Sequence, residues 1–150
     1  ILFSIVTINS CKYFSKYPGF KRARHGIYYQ LHKIGEDDRK AQPGDYITID
    51  IAYKTMNDSV FFTARRKFQL TEPAFEGSVD ECFMMMAEKE SATFIISASD
   101  FFYKTLQSAL PSFLDEDSKM KVTVDMLEIQ TESEYKKEKE RERSLSIGQK

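Results

Sequence analysis

Tryptophan is absent from this 150-residue chain, and histidine and cysteine occur only as His25, His32, Cys11 and Cys82. Residues so few and so scattered offer no spacing that suits a zinc site, and they do not support a disulfide framework. No CxxC, HExxH, GxGxxG, GxSxG or phosphate-loop pattern occurs either. Metal, nucleotide and triad chemistry are thereby disfavoured, and no cofactor is expected. An excess of one charge is missing too: 22 basic side chains face 23 acidic ones, for a formal net charge of -1. That balance gives no electrostatic reason to expect nucleic acid or an acidic membrane surface as the main partner.

What the chain does have is phenylalanine and tyrosine. Aromatics make up 13% of it, and nine of its twelve phenylalanines fall between Phe61 and Phe113. The middle of the chain is therefore where a core and an apolar pocket are expected.

The opening stretch ILFSIVTINSC contains an apolar run too short to span a bilayer as a helix, but suited to the apolar region of a secretory signal. It ends Ile8-Asn9-Ser10-Cys11. An aliphatic residue three places before a cysteine, with a small residue directly before it, resembles a bacterial lipobox. The lipobox resemblance implies cleavage before Cys11 and a diacylglyceryl thioether on its sulfur. The competing reading is a buried N-terminal strand with a structural cysteine. Lipid chains would hold the protein to a membrane, since each buried CH₂ adds roughly 0.8 kcal/mol. Residues 1–11 read as a lipoprotein signal segment. Residues 12–25, basic and centred on Pro18-Gly19, read as a tether.

From Gly26 the pattern becomes that of strands. GIYYQLHKI is β-prone, and the turn Gln42 to Asp45 precedes YITIDIAY, in which Ile47, Ile49, Ile51 and Tyr53 share one face. Asn57 to Ser59 supply a hairpin turn into SVFFTARRKFQL, a return strand expected to carry a bulge near Arg65 and Arg66. A helix is expected at about Ser78 to Ala87. Ser78 is its N-cap, Asp80 and Glu81 stand in its first turn, and Val79, Cys82, Phe83 and Met86 form its apolar stripe. Cys82 is then a small core residue. ATFIISA reads as a strand, Ser99 to Ser118 as a loop, and MKVTVDMLEI as the last strand. The fold class is α+β: a curved antiparallel sheet wrapped around one short helix.

Residues 131–150 form a charged helical tail with a Thr131/Glu134 capping box and a Glu132–Lys136 pair. It has too few apolar residues to bury a face, so a solvated or fraying helix is expected.

This order of elements resembles FKBP-type peptidyl-prolyl isomerases. It consists of a strand ending in Tyr53, a Phe61-led return strand, a short acidic-start helix, an A-x-F-x-I strand, an aromatic loop and a V-x-V-x-x-L strand. The segment YPGF followed by a GxYYQ-like strand is similar to lipoprotein members from Gram-negative bacteria. The likeness spans the domain at residues 26–130.

Position by position, the resemblance puts Tyr53, Phe61, Phe68 and Phe102 at catalytic pocket positions. It puts Phe62, Phe75, Val79, Phe113, Leu114 and Val122 at substrate-binding ones. Phe62 stands where the family has an aspartate, Val79 where it has the tryptophan floor, and Phe102 where it has a loop tyrosine. These departures imply fewer polar handles and a differently shaped floor.

Such chemistry needs no acid or base. Rotation about X–Pro meets a barrier of about 18–20 kcal/mol because the planar amide is resonance-stabilised, and a dry apolar pocket favours the less dipolar twisted form. From the residues alone, plain core is the favoured reading of these aromatics. The resemblance implies an isomerase acting on proline-containing polypeptides in the bacterial envelope, lipid-anchored, facing the periplasm or the outer surface. The alternative is a lipid-anchored peptide-binding module of the same fold with little or no isomerase activity.

Overall fold

The computed structural model describes residues 16–148. Cys11 and the lipobox residues lie outside them. A six-stranded, curved antiparallel sheet runs in the order β1-β2-β5-β6-β3-β4. Its strands are β1 (Lys21–Arg22), β2 (Tyr28–Lys33), β3 (Tyr46–Lys54), β4 (Val60–Gln69), β5 (Ser91–Ser97) and β6 (Lys119–Gln130). The short helix α1 (Val79–Phe83) packs on one face of the sheet. A second helical turn, α2 (Ala98–Asp100), continues as a π-turn over Phe101–Thr105, and α3 (Glu132–Gly148) follows β6. The α+β architecture expected from the sequence is the one observed.

β3 lies between β4 and β6, and its alternation sets the core. Ile47, Ile49 and Ile51 are buried on the face that receives Val79, Cys82 and Phe83 from α1. Burying each such aliphatic side chain stabilises the fold by about 1.5–3 kcal/mol. Two turns fix the ends of this strand. Before it, Pro43 and Gly44 make a tight turn: the Asp45 N–H donates to the Gln42 carbonyl at 3.0 Å, and Gly44 takes φ +96°. The Asp45 carboxylate is buried there, held by the Arg39 guanidinium at 2.7 and 2.9 Å. After it, the Thr55 N–H donates to Ser59 at 2.9 Å while Asp58 takes a left-handed φ of 66°, which a short polar side chain tolerates.

Several expectations change. The bulge expected near Arg65 and Arg66 is not there: pairing runs unbroken through Asp50–Arg65 and Ile49–Arg66. It sits instead at Phe61, because Tyr53 pairs with Phe62 while Lys54 pairs with Val60. The helix is shorter than Ser78 to Ala87. The Met85 and Met86 amides bond back three residues, to Cys82 and Phe83 at 3.1 Å each, and Ala87 then leaves to bridge Lys40. Ser78 occupies the N-cap position, but its buried hydroxyl makes no hydrogen bond. Cys82 is fully buried, and burial pushes its thiol well up, as suits an inert core residue.

The stretch expected to be a loop from Ser99 begins as α2 and the π-turn. Lys21–Arg22, within the stretch read as a tether, pairs with Tyr28–Tyr29 of β2. The following turn is pinned where Gly77 approaches His25: a Cβ on Gly77 would meet the His25 carbonyl at 2.9 Å.

The charged C-terminal segment is helical but not wholly solvated. Thr131 Oγ1 accepts from the Glu134 N–H at 3.2 Å, capping α3. Tyr135 stacks on Tyr46 with centroids 3.6 Å apart and planes within 5°. Lys67 pairs with Glu138 at 3.7 Å, and the Gln130 amide donates to the same carboxylate. The first turns of α3 are therefore docked on the sheet, and α3 buries no residue fully. Among the described residues no helix is long and apolar enough to cross a membrane.

Candidate functional site

The hairpin β3–β4, helix α1 and the π-turn enclose a cleft of about 480 Å³. β3 contributes Ile49, Ile51 and Tyr53, which share one face because strand side chains repeat every second residue. The partner strand would ordinarily offer every second residue too. The bulge changes that: Phe61 and Phe62, consecutive in sequence, both line the cleft. Tyr53 is stacked on Phe62 with centroids 5.2 Å apart and lies 6.3 Å from Phe61.

α1 supplies the base through Val79 and Phe83, and Phe68 meets the Phe83 ring edge-on at 5.9 Å. The remaining wall comes from the π-turn, closed by the Leu106 N–H donating to the Phe101 carbonyl five residues back at 3.0 Å. That wider turn presents Phe101, Phe102, Thr105 and Leu106 to the cleft. Phe101 packs on Tyr53 at 4.8 Å, and Phe102 approaches Phe61 at 6.2 Å.

Of the residues expected at the site, Tyr53, Phe61, Phe62, Phe68, Val79 and Phe102 line this cleft together. Phe113 stands at the lip, 56% exposed, with its ring 5.3 Å from Phe61. Leu114 and Val122 are core residues behind the wall, Val122 pairing with Tyr53 across the sheet. Phe75 is not in the lining; its ring lies under the Lys104 ammonium at 5.1 Å.

Phe101, Phe83, Ile49, Ile51, Thr105, Leu106, Arg66 and Asp80 were not expected. The alternation through Ile49 and Ile51 and the helical stripe that includes Phe83 carried the signal for three of them. No period marks a single π-turn.

Besides Thr105, three polar residues line the cleft. Burial pushes the Tyr53 hydroxyl up to about 12, with Asp80 adding to that rise and Arg66 opposing it. The phenol, like an ordinary tyrosine's, is protonated at neutral pH, and no hydrogen bond to it forms among the described residues. Among the described residues it is a donor without an acceptor. The Asp80 carboxyl is held above its ordinary range by burial. The Arg66 guanidinium lies 5.8 Å from the centroid of the Phe62 ring. A further cleft beyond α1 mixes Arg22, Arg24, Glu72 and Glu81 with Met84 and Met85, and offers no such aromatic enclosure. Among the described residues no group of side chains is arranged to hold a metal ion.

No family model and no curated protein matches the sequence. Among solved structures, FkpA from Escherichia coli is similar with a TM-score of 0.60 and 14% identity, over 83% of this chain and 57% of that one. The chain therefore spans little more than half the length of that neighbour. A peptidyl-prolyl cis-trans isomerase from Pseudomonas syringae pv. tomato str. DC3000 is similar with a TM-score of 0.57 and 11% identity, over 77% of this chain and 84% of that one. At such identities the likeness is one of architecture, and it identifies the fold of this chain as FKBP-like.

Proposed function

We propose that this protein catalyses cis–trans isomerisation of X–Pro bonds in polypeptide chains. The observation that carries the proposal is the convergence of Tyr53, Phe61, Phe62, Phe68, Phe101 and Phe102 on one cleft, where the Tyr53 phenol has no partner among the described residues. A proline ring fits such an enclosure, and the aromatic walls exclude water from its amide.

The planar amide is strongly dipolar, whereas the twisted form has lost resonance and much of that dipole. A low-dielectric cleft therefore favours the twisted form over either planar ground state, which lowers the barrier. The Tyr53 hydroxyl is the donor for a substrate carbonyl. It can do this because its own proton is retained far above neutral pH. No proton is transferred, so neither a base nor a metal is required. The uncatalysed event takes roughly 10–100 s, slow enough to limit folding of exported chains. The fold shared with a neighbour named as a peptidyl-prolyl isomerase supports the same reading.

On Ile8-Asn9-Ser10-Cys11 we further place the protein at a bacterial envelope, anchored by lipid on Cys11. Mass spectrometry of the mature chain checks this: a lipid adduct on an N-terminal Cys11 supports it, and an unmodified Cys11 refutes it. The isomerase proposal is tested by a protease-coupled assay on an X–Pro peptide. Acceleration proportional to protein concentration is expected. Binding of the peptide without acceleration would leave a peptide-binding module of the same fold.

A further inference from the structure

We infer that Arg66 makes this cleft selective for polypeptides with a carboxylate side chain, Asp or Glu, within about two residues of the proline. The inference rests on the isomerase reading above and deepens it.

β4 carries two consecutive arginines whose surroundings differ. Arg65 points away from the cleft and is held by Asp50, with Nε–O and Nη2–O distances of 2.7 and 2.8 Å. Arg66 alternates with Ala64 and Phe68 and pairs with Ile49, which puts it on the cleft side. No carboxylate among the described residues forms an ion pair with it. Its one hydrogen bond goes to the neighbouring Arg65 carbonyl at 3.4 Å. The guanidinium is instead set over the Phe62 ring.

A guanidinium on an aromatic face is partly pre-ordered, and its fork of N–H donors matches a carboxylate. Phe62 in turn is stacked on Tyr53, so the cation stands two ring contacts from the middle of the enclosure. An extended chain advances roughly 3.5 Å per residue, so a side chain one or two positions from the proline reaches it. Asp80 also lines the cleft, but it belongs to α1, is partly buried and does not pair with Arg66. An inward-pointing charge on an edge strand also discourages pairing with other chains. That role does not require an aromatic platform beneath the charge.

The test uses peptides with Glu, Gln or Lys placed in turn directly before and directly after the proline, and the full chain as wild type, Arg66→Gln and Arg66→Glu. Wild type should favour Glu over Lys in kcat/KM by roughly threefold to tenfold at one of the two positions, the range open to an exposed charge pair with an aromatic platform. Raising the salt to about 1 M should shrink the preference, since the Debye length is then about 3 Å. Arg66→Gln should abolish it, and Arg66→Glu should invert it.

A wild type that turns over Glu and Lys peptides equally, or a Glu preference that survives in Arg66→Gln, overturns the inference while leaving the isomerase reading intact. If wild type accelerates no peptide, the isomerase reading fails, and binding titrations of the same peptides decide this one. Tighter binding of Glu than of Lys peptides that vanishes in Arg66→Gln upholds it; equal or absent binding overturns it.

Discussion

Truncating Phe61 to alanine is expected to lower kcat/KM on an X–Pro peptide by tenfold or more while leaving the chain folded. The Phe61 ring adds a second aromatic link between the hairpin and the π-turn beside Tyr53–Phe101: Tyr53 lies at 6.3 Å and Phe102 at 6.2 Å, with Phe113 edge-on at 5.3 Å. Its removal opens the enclosure between the hairpin and the π-turn and admits water beside the amide. Water favours the planar, dipolar ground state more than the twisted one, so the loss falls on transition-state stabilisation.

A tenfold change corresponds to about 1.4 kcal/mol, similar to what one or two aromatic pairs contribute beyond burial. The fold should bear the change. A fully buried phenylalanine costs about 3–5 kcal/mol on truncation, but Phe61 is only half-buried on an edge strand, so a cost of about 1–2 kcal/mol is expected. Protease-coupled kinetics give the first number, and denaturant unfolding followed by circular dichroism gives the second. If folded Phe61→Ala keeps the full activity of an active wild type, the cleft is not where the bond turns.

Tyr53→Phe removes only the hydroxyl and should lose about threefold in kcat/KM, in line with one modest hydrogen bond, with unchanged stability. Deleting residues 131–150 removes the Tyr135 ring from Tyr46, a pair contributing about 0.5–1.5 kcal/mol, and should lower Tm by roughly 2–6 °C; an unchanged Tm would mean that α3 is not docked in solution. Asp80 is a carboxyl whose folded value is raised by burial, so the folded chain binds its proton more tightly than the unfolded chain. Its contribution therefore costs stability increasingly as pH climbs from the ordinary carboxylate range through the raised value, and Asp80→Asn should raise Tm at neutral pH but not in acid. Melts of both proteins across that window check the sign, and a gain that persists below the carboxylate range would refute it.

Where a strict period governs the chain, the sequence could be read. β3 alternates cleanly, so Ile47, Ile49, Ile51 and Tyr53 were assignable to one face, and the stripe Val79, Cys82, Phe83 and Met86 located the helix. The end of that helix was not legible, because a long-range bridge from Lys40 to Ala87 draws the chain away before local propensity would. Nor was the part-buried Arg39–Asp45 pair, which depends on the irregular turn before β3. The docking of Tyr135 was not legible either, because only the position of Tyr46 at the start of β3 gives it a stacking partner. A bulge was expected near Arg65 and Arg66. Unbroken pairing put them on opposite faces instead.

The cleft itself arises where regularity is lost. A regular strand would place one of Phe61 and Phe62 inside and the other on the outer face, since successive side chains alternate. The extra residue opposite Tyr53 and Lys54 turns both inward, so a ten-residue strand delivers two adjacent rings at its entry and Phe68 six residues on. On the facing side, the π-turn adds one residue to a helical turn and rolls Phe101 and Phe102 toward the same space. Two insertions of a single residue, one in a strand and one in a helix, thus face each other across Tyr53. Either alone would leave Tyr53 against one wall with water on the other. Together they bury much of Tyr53, and that burial is what raises its phenol.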